Sequence, residues 1–158
     1  MSLEFSFKQS ADTLFDLLCD PDFLVQRSIA LGEISADAET EEDEDGRVTI
    51  TMRREVKQDL PSFLSKLFKP QQVLLMKEEW QKVGPNYVGK GEFTIEGQPV
   101  TIKTEITIKA KGKGCSYEIS FKPKAQIPLV GGKVEKFIEG NCIEGSKKEL
   151  EYTARHFG

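Results

Sequence analysis

The chain has 158 residues, 38% of them hydrophobic and 30% charged, with a formal net charge of −4. That length suits one domain spanning residues 1–158 and is enough to bury a real core. No run of about 18 uncharged apolar residues could span a bilayer, MSLEFSFK lacks the apolar stretch of a secretory signal, and the acidic balance opposes nucleic acid as a partner. Cys19, Cys115 and Cys142 are odd in number and widely spaced. They argue against a disulfide framework or zinc site and for a reducing, cytoplasmic setting.

Leu3, Phe5 and Phe7 recur at period two, the mark of a half-buried strand. Ser10 then caps a helix carrying Leu14, Leu17 and Leu18, and Asp20-Pro21 starts a second helix that runs to about Leu31 and stops at Gly32. From there the period returns to two for about 90 residues. Val48, Ile50, Met52 and Val56 form one apolar face, Leu74, Met76 and Trp80 a second, and Val100, Ile102, Ile106 and Ile108 a third. Each run reads as an antiparallel strand with one dry face. Asp45-Gly46, Pro85-Asn86, Gly97-Gln98 and Gly112-Lys113-Gly114 punctuate them as hairpin turns. Leu60-Pro61 breaks the alternation and introduces a short helix-like insertion, Ser62 to Phe68, closed by Pro70. After Gly131-Gly132 one helix is predicted to about residue 155. At 100° per residue, Val130, Phe137, Ile138, Asn141, Gly145 and Tyr152 fall within about 60° of Val134.

One strand, two short helices, about six strands in a meander and a long terminal helix predict an α+β fold, a curved antiparallel sheet of about seven strands around that helix. The order resembles the helix-grip superfamily of START lipid-transfer domains, Bet v 1 allergens and polyketide cyclases. More narrowly, F-S-F-K-Q-S-A-D-T-L-F-D-L-L-C-D-P-D-F-L from Phe5, E-E-W at Glu78 to Trp80, and G-G-K-V-E-K-F-I from Gly131 are similar to the DUF2505 family. The resemblance covers essentially the whole chain. It implies a hydrophobic molecule held between sheet and helix, although fold alone does not dictate function.

The residues carry little catalytic signal. His156 is the only histidine, no serine sits in G-x-S-x-G, and no phosphate loop is present. No metal or cofactor is expected. The acidic run Glu39 to Asp45 lacks EF-hand spacing and reads as a solvated hairpin tip. Arg54 and Glu78 are more informative, because alternation places each on an apolar strand face. Either they point inward, to pair or to anchor a ligand head group, or a one-residue register change turns them to solvent. Gly140 and Gly145 each cost the terminal helix about 1 kcal/mol relative to alanine. Beside Asn141, Gly145 leaves room for a cavity or for tight packing on the sheet.

Trp80, Tyr87, Phe93, Tyr117, Phe121 and Phe137 serve equally as pocket lining or as core. Ligand contacts are therefore assigned to Arg54, Glu78, Trp80, Tyr87, Phe93, Tyr117, Phe137, Asn141 and Gly145, around a cavity on the order of 300 Å³ or more. The leading expectation is a binding module for a small apolar or amphiphilic molecule. The alternatives are a cyclase- or dehydratase-like enzyme using Glu78, and a protein-interaction module with a filled interior and an exposed apolar patch.

Overall fold

The computed structural model describes residues 1–158. The first strand, β1 (Ser2–Phe7), leads into α1 (Ala11–Leu18) and α2 (Pro21–Ala30). Both helices start where the sequence supplies an oxygen for their free amides: Ser10 Oγ accepts from the Thr13 N–H at 3.1 Å, and Asp20 Oδ1 from Asp22 at 3.0 Å. Six strands follow: β2 (Ser35–Glu42), β3 (Val48–Lys57), β4 (Gln71–Val83), β5 (Asn86–Ile95), β6 (Val100–Lys111) and β7 (Gly114–Ala125). A one-turn helix, α3 (Ser62–Ser65), sits between β3 and β4, and α4 (Gly131–Phe157) ends the chain.

All neighbouring strands pair antiparallel in the order β1-β7-β6-β5-β4-β3-β2. The sheet is thus a meander closed on one side by β1, and α1 and α2 carry the chain from one edge to the other. At the far edge, β2 presents Asp37, Glu39 and Glu41 to solvent, a charged margin that discourages pairing with another chain. The acidic run is therefore only partly a hairpin tip, since Glu39–Glu42 extend β2 and Asp43–Arg47 make the turn.

The turn read at Pro85-Asn86 lies one residue earlier, at Gly84-Pro85, because Val83 and Asn86 already pair. Gly84 and Gly112 lead their two-residue hairpins with φ of 61° and 57°. A positive first φ matches the right-handed twist of the flanking strands, and glycine adopts it without strain.

The inner face follows the alternation: Ile50, Met52, Met76, Trp80, Ile102, Ile106, Ile108, Ile119 and Phe121 are buried in one core. The close backbone contacts of α4 are with β7, β1 and α2. It therefore leans on one side of the concave sheet and stands off β3, β4 and β5. Its buried line also drifts. Val134 is fully buried near the start, but near the end Leu150 and Thr153 are buried and Tyr152 is not. Tyr152 instead turns toward α2, where its hydroxyl accepts from Gln26 Nε2 at 3.3 Å. A helix crossing a twisted sheet cannot keep one ideal stripe inward along 27 residues.

Between β7 and α4, Leu129 is fully exposed with φ of 72°. Left-handed backbone costs an L-residue about 1–2 kcal/mol, and this side chain gains no burial in return. Leu129→Gly is expected to stabilise the protein by about 0.5–1 kcal/mol after glycine's extra chain entropy is subtracted. Urea unfolding with an unchanged slope checks it, and a lower midpoint would mean that Leu129 is held by contacts absent from this structure.

Candidate functional site

Where α4 stands off the sheet, a cavity of about 360 Å³ opens. Its dry wall combines Leu74, Phe93, Ile95, Ile102 and Phe121 from the sheet with Phe137, Ile138 and Cys142 from α4. The β3–β4 insertion closes one side with Leu60, Leu64 and Phe68. Their four-residue spacing was visible in the sequence, yet only the fold shows that they cover a void. Phe63 fastens this flap to α4, edge-on to Phe137 at 6.4 Å and beneath Lys133 Nζ at 4.2 Å. Leu31, Gly32, Lys57, Gly145 and Lys148 line the cavity and are exposed, so they mark its mouth.

A second, smaller chamber of about 50 Å³ lies against the sheet, lined by Glu78, Trp80, Tyr117, Arg27 and Leu150 among others. Arg54, Phe93, Ser146 and Glu149 line both spaces. The partition between them is largely ionic. Arg54 on β3 grips Glu33 of the α2–β2 connection, with Nε to Oε1 at 2.9 Å and a second bond from Nη2 to Oε2, and its Nη2 lies 3.6 Å from Glu149 of α4. Arg27 of α2 reaches Glu149 at 3.9 Å and donates from Nη1 to Thr153 Oγ1 at 3.1 Å. Burial opposes the charge on Arg54, but Glu149 and Glu33 outweigh it and hold the guanidinium above its ordinary value.

Glu78 and Arg54 both face inward, in register with Ile50 and Leu74 respectively, but they do not pair. Each finds a partner from another direction. Glu78 Oε1 accepts from Trp80 Nε1 at 3.0 Å, and the rest of the carboxyl faces the small chamber. Enclosure by protein pushes Glu78 above the ordinary carboxylate range, against the pull of Trp80, Arg27 and Arg54. A carboxyl whose folded pKa is raised contributes stability that is complete below its unfolded pKa and is lost as pH rises through the folded value. Glu78→Gln removes this loss and keeps an acceptor for Trp80. The variant should therefore melt above the wild type at pH 8, with the gap closing toward pH 4. A gap that is constant or of opposite sign would show that the arginines hold Glu78 ionised.

The expected site residues thus divide. Arg54, Phe93, Phe137, Asn141 and Gly145 line the larger cavity, and Glu78, Trp80 and Tyr117 the smaller. Tyr87 lines neither. It is buried under α1, stacked on Phe15 at 4.1 Å, with its hydroxyl donating to Asp12 Oδ1 at 2.5 Å, because its place near the start of β5 lies at the other end of the sheet. Gly145 opens on free space, as a Cβ there would meet no atom within 4 Å, while Gly140 is exposed and borders neither cavity. Glu33, Glu149 and Arg27 were not read from the sequence. Glu149 lies about 60° from Val134 on the helical wheel, a signal that was available, but nothing local marks Glu33 or Arg27 as its companions.

The chemistry on offer is limited. Burial pushes the Cys142 thiol up to about 12, so it stays protonated at neutral pH and is a poor nucleophile. No group of three His, Cys, Asp or Glu side chains is placed to hold a metal ion, and no helix is long and apolar enough to cross a membrane.

Solved structures share the fold at low identity. A START superfamily protein from Mycobacterium smegmatis matches at 15% identity and TM-score 0.64, covering 100% of this chain and 98% of that one. A STAR-related lipid transfer protein from Xanthomonas axonopodis matches at 15% identity and TM-score 0.62, covering 98% and 83%. Human STARD10 matches at 13% identity and TM-score 0.63, covering 96% of this chain and 62% of that one. No curated protein matches. The family profile "Protein of unknown function (DUF2505)" matches residues 2–156, and the chain belongs to that family.

Proposed function

We propose that this protein binds a small hydrophobic or amphiphilic molecule between α4 and the sheet. The observation that carries the reading is the cavity itself: about 360 Å³, open at one side, with 13 of its 24 lining residues hydrophobic and Arg54, Glu33, Asn141 and Glu149 among the polar ones. Ligand sites have this make-up of dry walls and few orienting polar groups. The START-like neighbours, one of them titled a lipid transfer protein, support it by analogy of fold. An interaction module with a filled interior fits this open space poorly.

Native mass spectrometry of the purified protein tests the reading first, by a co-purifying small molecule. Titration of an apolar fluorescent probe into wild type and Gly145→Leu tests the location. A Cβ at Gly145 meets no atom within 4 Å and the position lies at the exposed cavity mouth, so the leucine variant should fold normally and gain about 0.5–1 kcal/mol of helix propensity. Probe affinity should fall by about tenfold as the side chain takes ligand space. A wild type that binds no apolar probe and carries no molecule removes the proposal.

One observation favours a second reading, a cyclase- or dehydratase-like reaction: Glu78 is an enclosed carboxyl of raised pKa beside the Tyr117 hydroxyl in the small chamber. It predicts that a bound substrate is altered on incubation with wild type and not with Glu78→Gln, losing the mass of water in a dehydration or shifting in chromatographic retention at constant mass in a cyclisation.

A further inference from the structure

We infer that the small chamber is a head-group site selecting an uncharged hydrogen-bonding group, a hydroxyl or carbonyl, on the molecule whose apolar part fills the larger cavity. This deepens the binding reading and rests on it. The chamber's volume of about 50 Å³ suits a group of a few atoms, since one water needs about 10–15 Å³ measured this way. It shares Arg54, Phe93, Ser146 and Glu149 with the wall of the larger cavity, so a head group there would lie directly behind that partition from the apolar part of the ligand.

The second observation is a pair of polar side chains that line this space with hydrogen-bonding capacity to spare. No side chain hydrogen-bonds the buried Tyr117 hydroxyl, and Glu78 is bonded only by Trp80, through one oxygen. Buried polar groups are normally satisfied, so donors and acceptors converging on one small space call for a polar occupant.

Charge decides which kind. Arg27 and Arg54 are already matched by Glu149 and Glu33. An anionic head group would meet two guanidiniums already balanced and lie against the Glu149 carboxylate. An ammonium would give up its hydration to lie near Arg27 and Arg54, against a Glu78 carboxyl whose enclosure disfavours its charged form. A neutral group avoids both costs while exchanging a hydrogen bond with Tyr117 or Glu78.

Four ligands with one chain length separate the cases: 1-decanol, decanoate, decylammonium and decane, each measured at pH 7 by displacement of an apolar fluorescent probe and by native mass spectrometry. Decanol is expected to bind about tenfold more tightly than decane, and more tightly than either ion, as one or two added hydrogen bonds imply. Tyr117→Phe and Glu78→Leu should reduce the preference for decanol over decane to about twofold or less while decane affinity holds, which also shows that the fold survives. Glu78→Gln should keep the preference. Decanoate or decylammonium binding as tightly as decanol overturns the head-group assignment alone, as does an alcohol preference that survives both Tyr117→Phe and Glu78→Leu. If neither the probe nor any of the four binds, the cavity reading fails with it.

Discussion

Arg54→Leu is expected to destabilise the protein by about 3–5 kcal/mol, the cost of leaving the buried Glu33 carboxylate without its cation, while Glu149 keeps Arg27. Arg54 is 15% exposed and Glu33 13% exposed, so water reaches the orphaned carboxylate poorly. For a chain of this size each kcal/mol moves the melting temperature by about 2–4 °C, which makes the loss easy to measure. The pair as a whole is worth much less than its rupture costs, because both ions were desolvated to form it. Arg54→Leu combined with Glu33→Leu should therefore recover at least about half of the loss. A single-variant cost below about 1 kcal/mol would place the cluster among screened surface pairs and weaken its role as the partition between the chambers.

Gly89→Ala is the second large effect. Gly89 lies on the inner face of β5 directly beneath Trp80, and a methyl there would stand 2.6–2.9 Å from three atoms of the indole. Trp80 is 3% exposed, packed edge-on to Phe15 at 5.4 Å and bonded to Glu78 at 3.0 Å, so the ring cannot move off Gly89 without disturbing these contacts. Overpacking of this kind costs about 1–3 kcal/mol. Strand propensity alone predicts the reverse sign, since alanine is usually the better residue in a strand interior. As the only tryptophan in the chain, Trp80 reports its own displacement. The variant should show an altered native emission spectrum together with a lower midpoint in urea. Full stability with unchanged emission would contradict the contact. Gly91, two residues on, plays the same part for Glu78 and Thr104: a Cβ there would collide with Thr104 Oγ1 and come within 3.1 Å of Glu78 Cγ. The two glycines let Trp80, Thr104 and Glu78 lie close over the backbone of β5.

Much of this was legible along the chain because it depends on neighbours in sequence. Period-two alternation identified β1, β3, β4 and β6 with their dry faces, Ser10 and Asp20 marked the helix starts, and the pattern after Gly131 pointed to one long helix. The inward direction of Arg54 and Glu78 followed from the same alternation once no bulge intervened. Their partners did not, since Arg54 meets Glu33 from 21 residues away and Glu149 from another element altogether. Tyr87 shares its strand face with Phe93, yet one end of that face lies under α1 and the other faces the cavity. Periodicity states which side of a strand a residue occupies and is silent on what covers that side. That was decided by the resting place of α4 against β7 and β1, and by the β3–β4 flap closing the gap it left, both of them contacts between segments far apart in the chain.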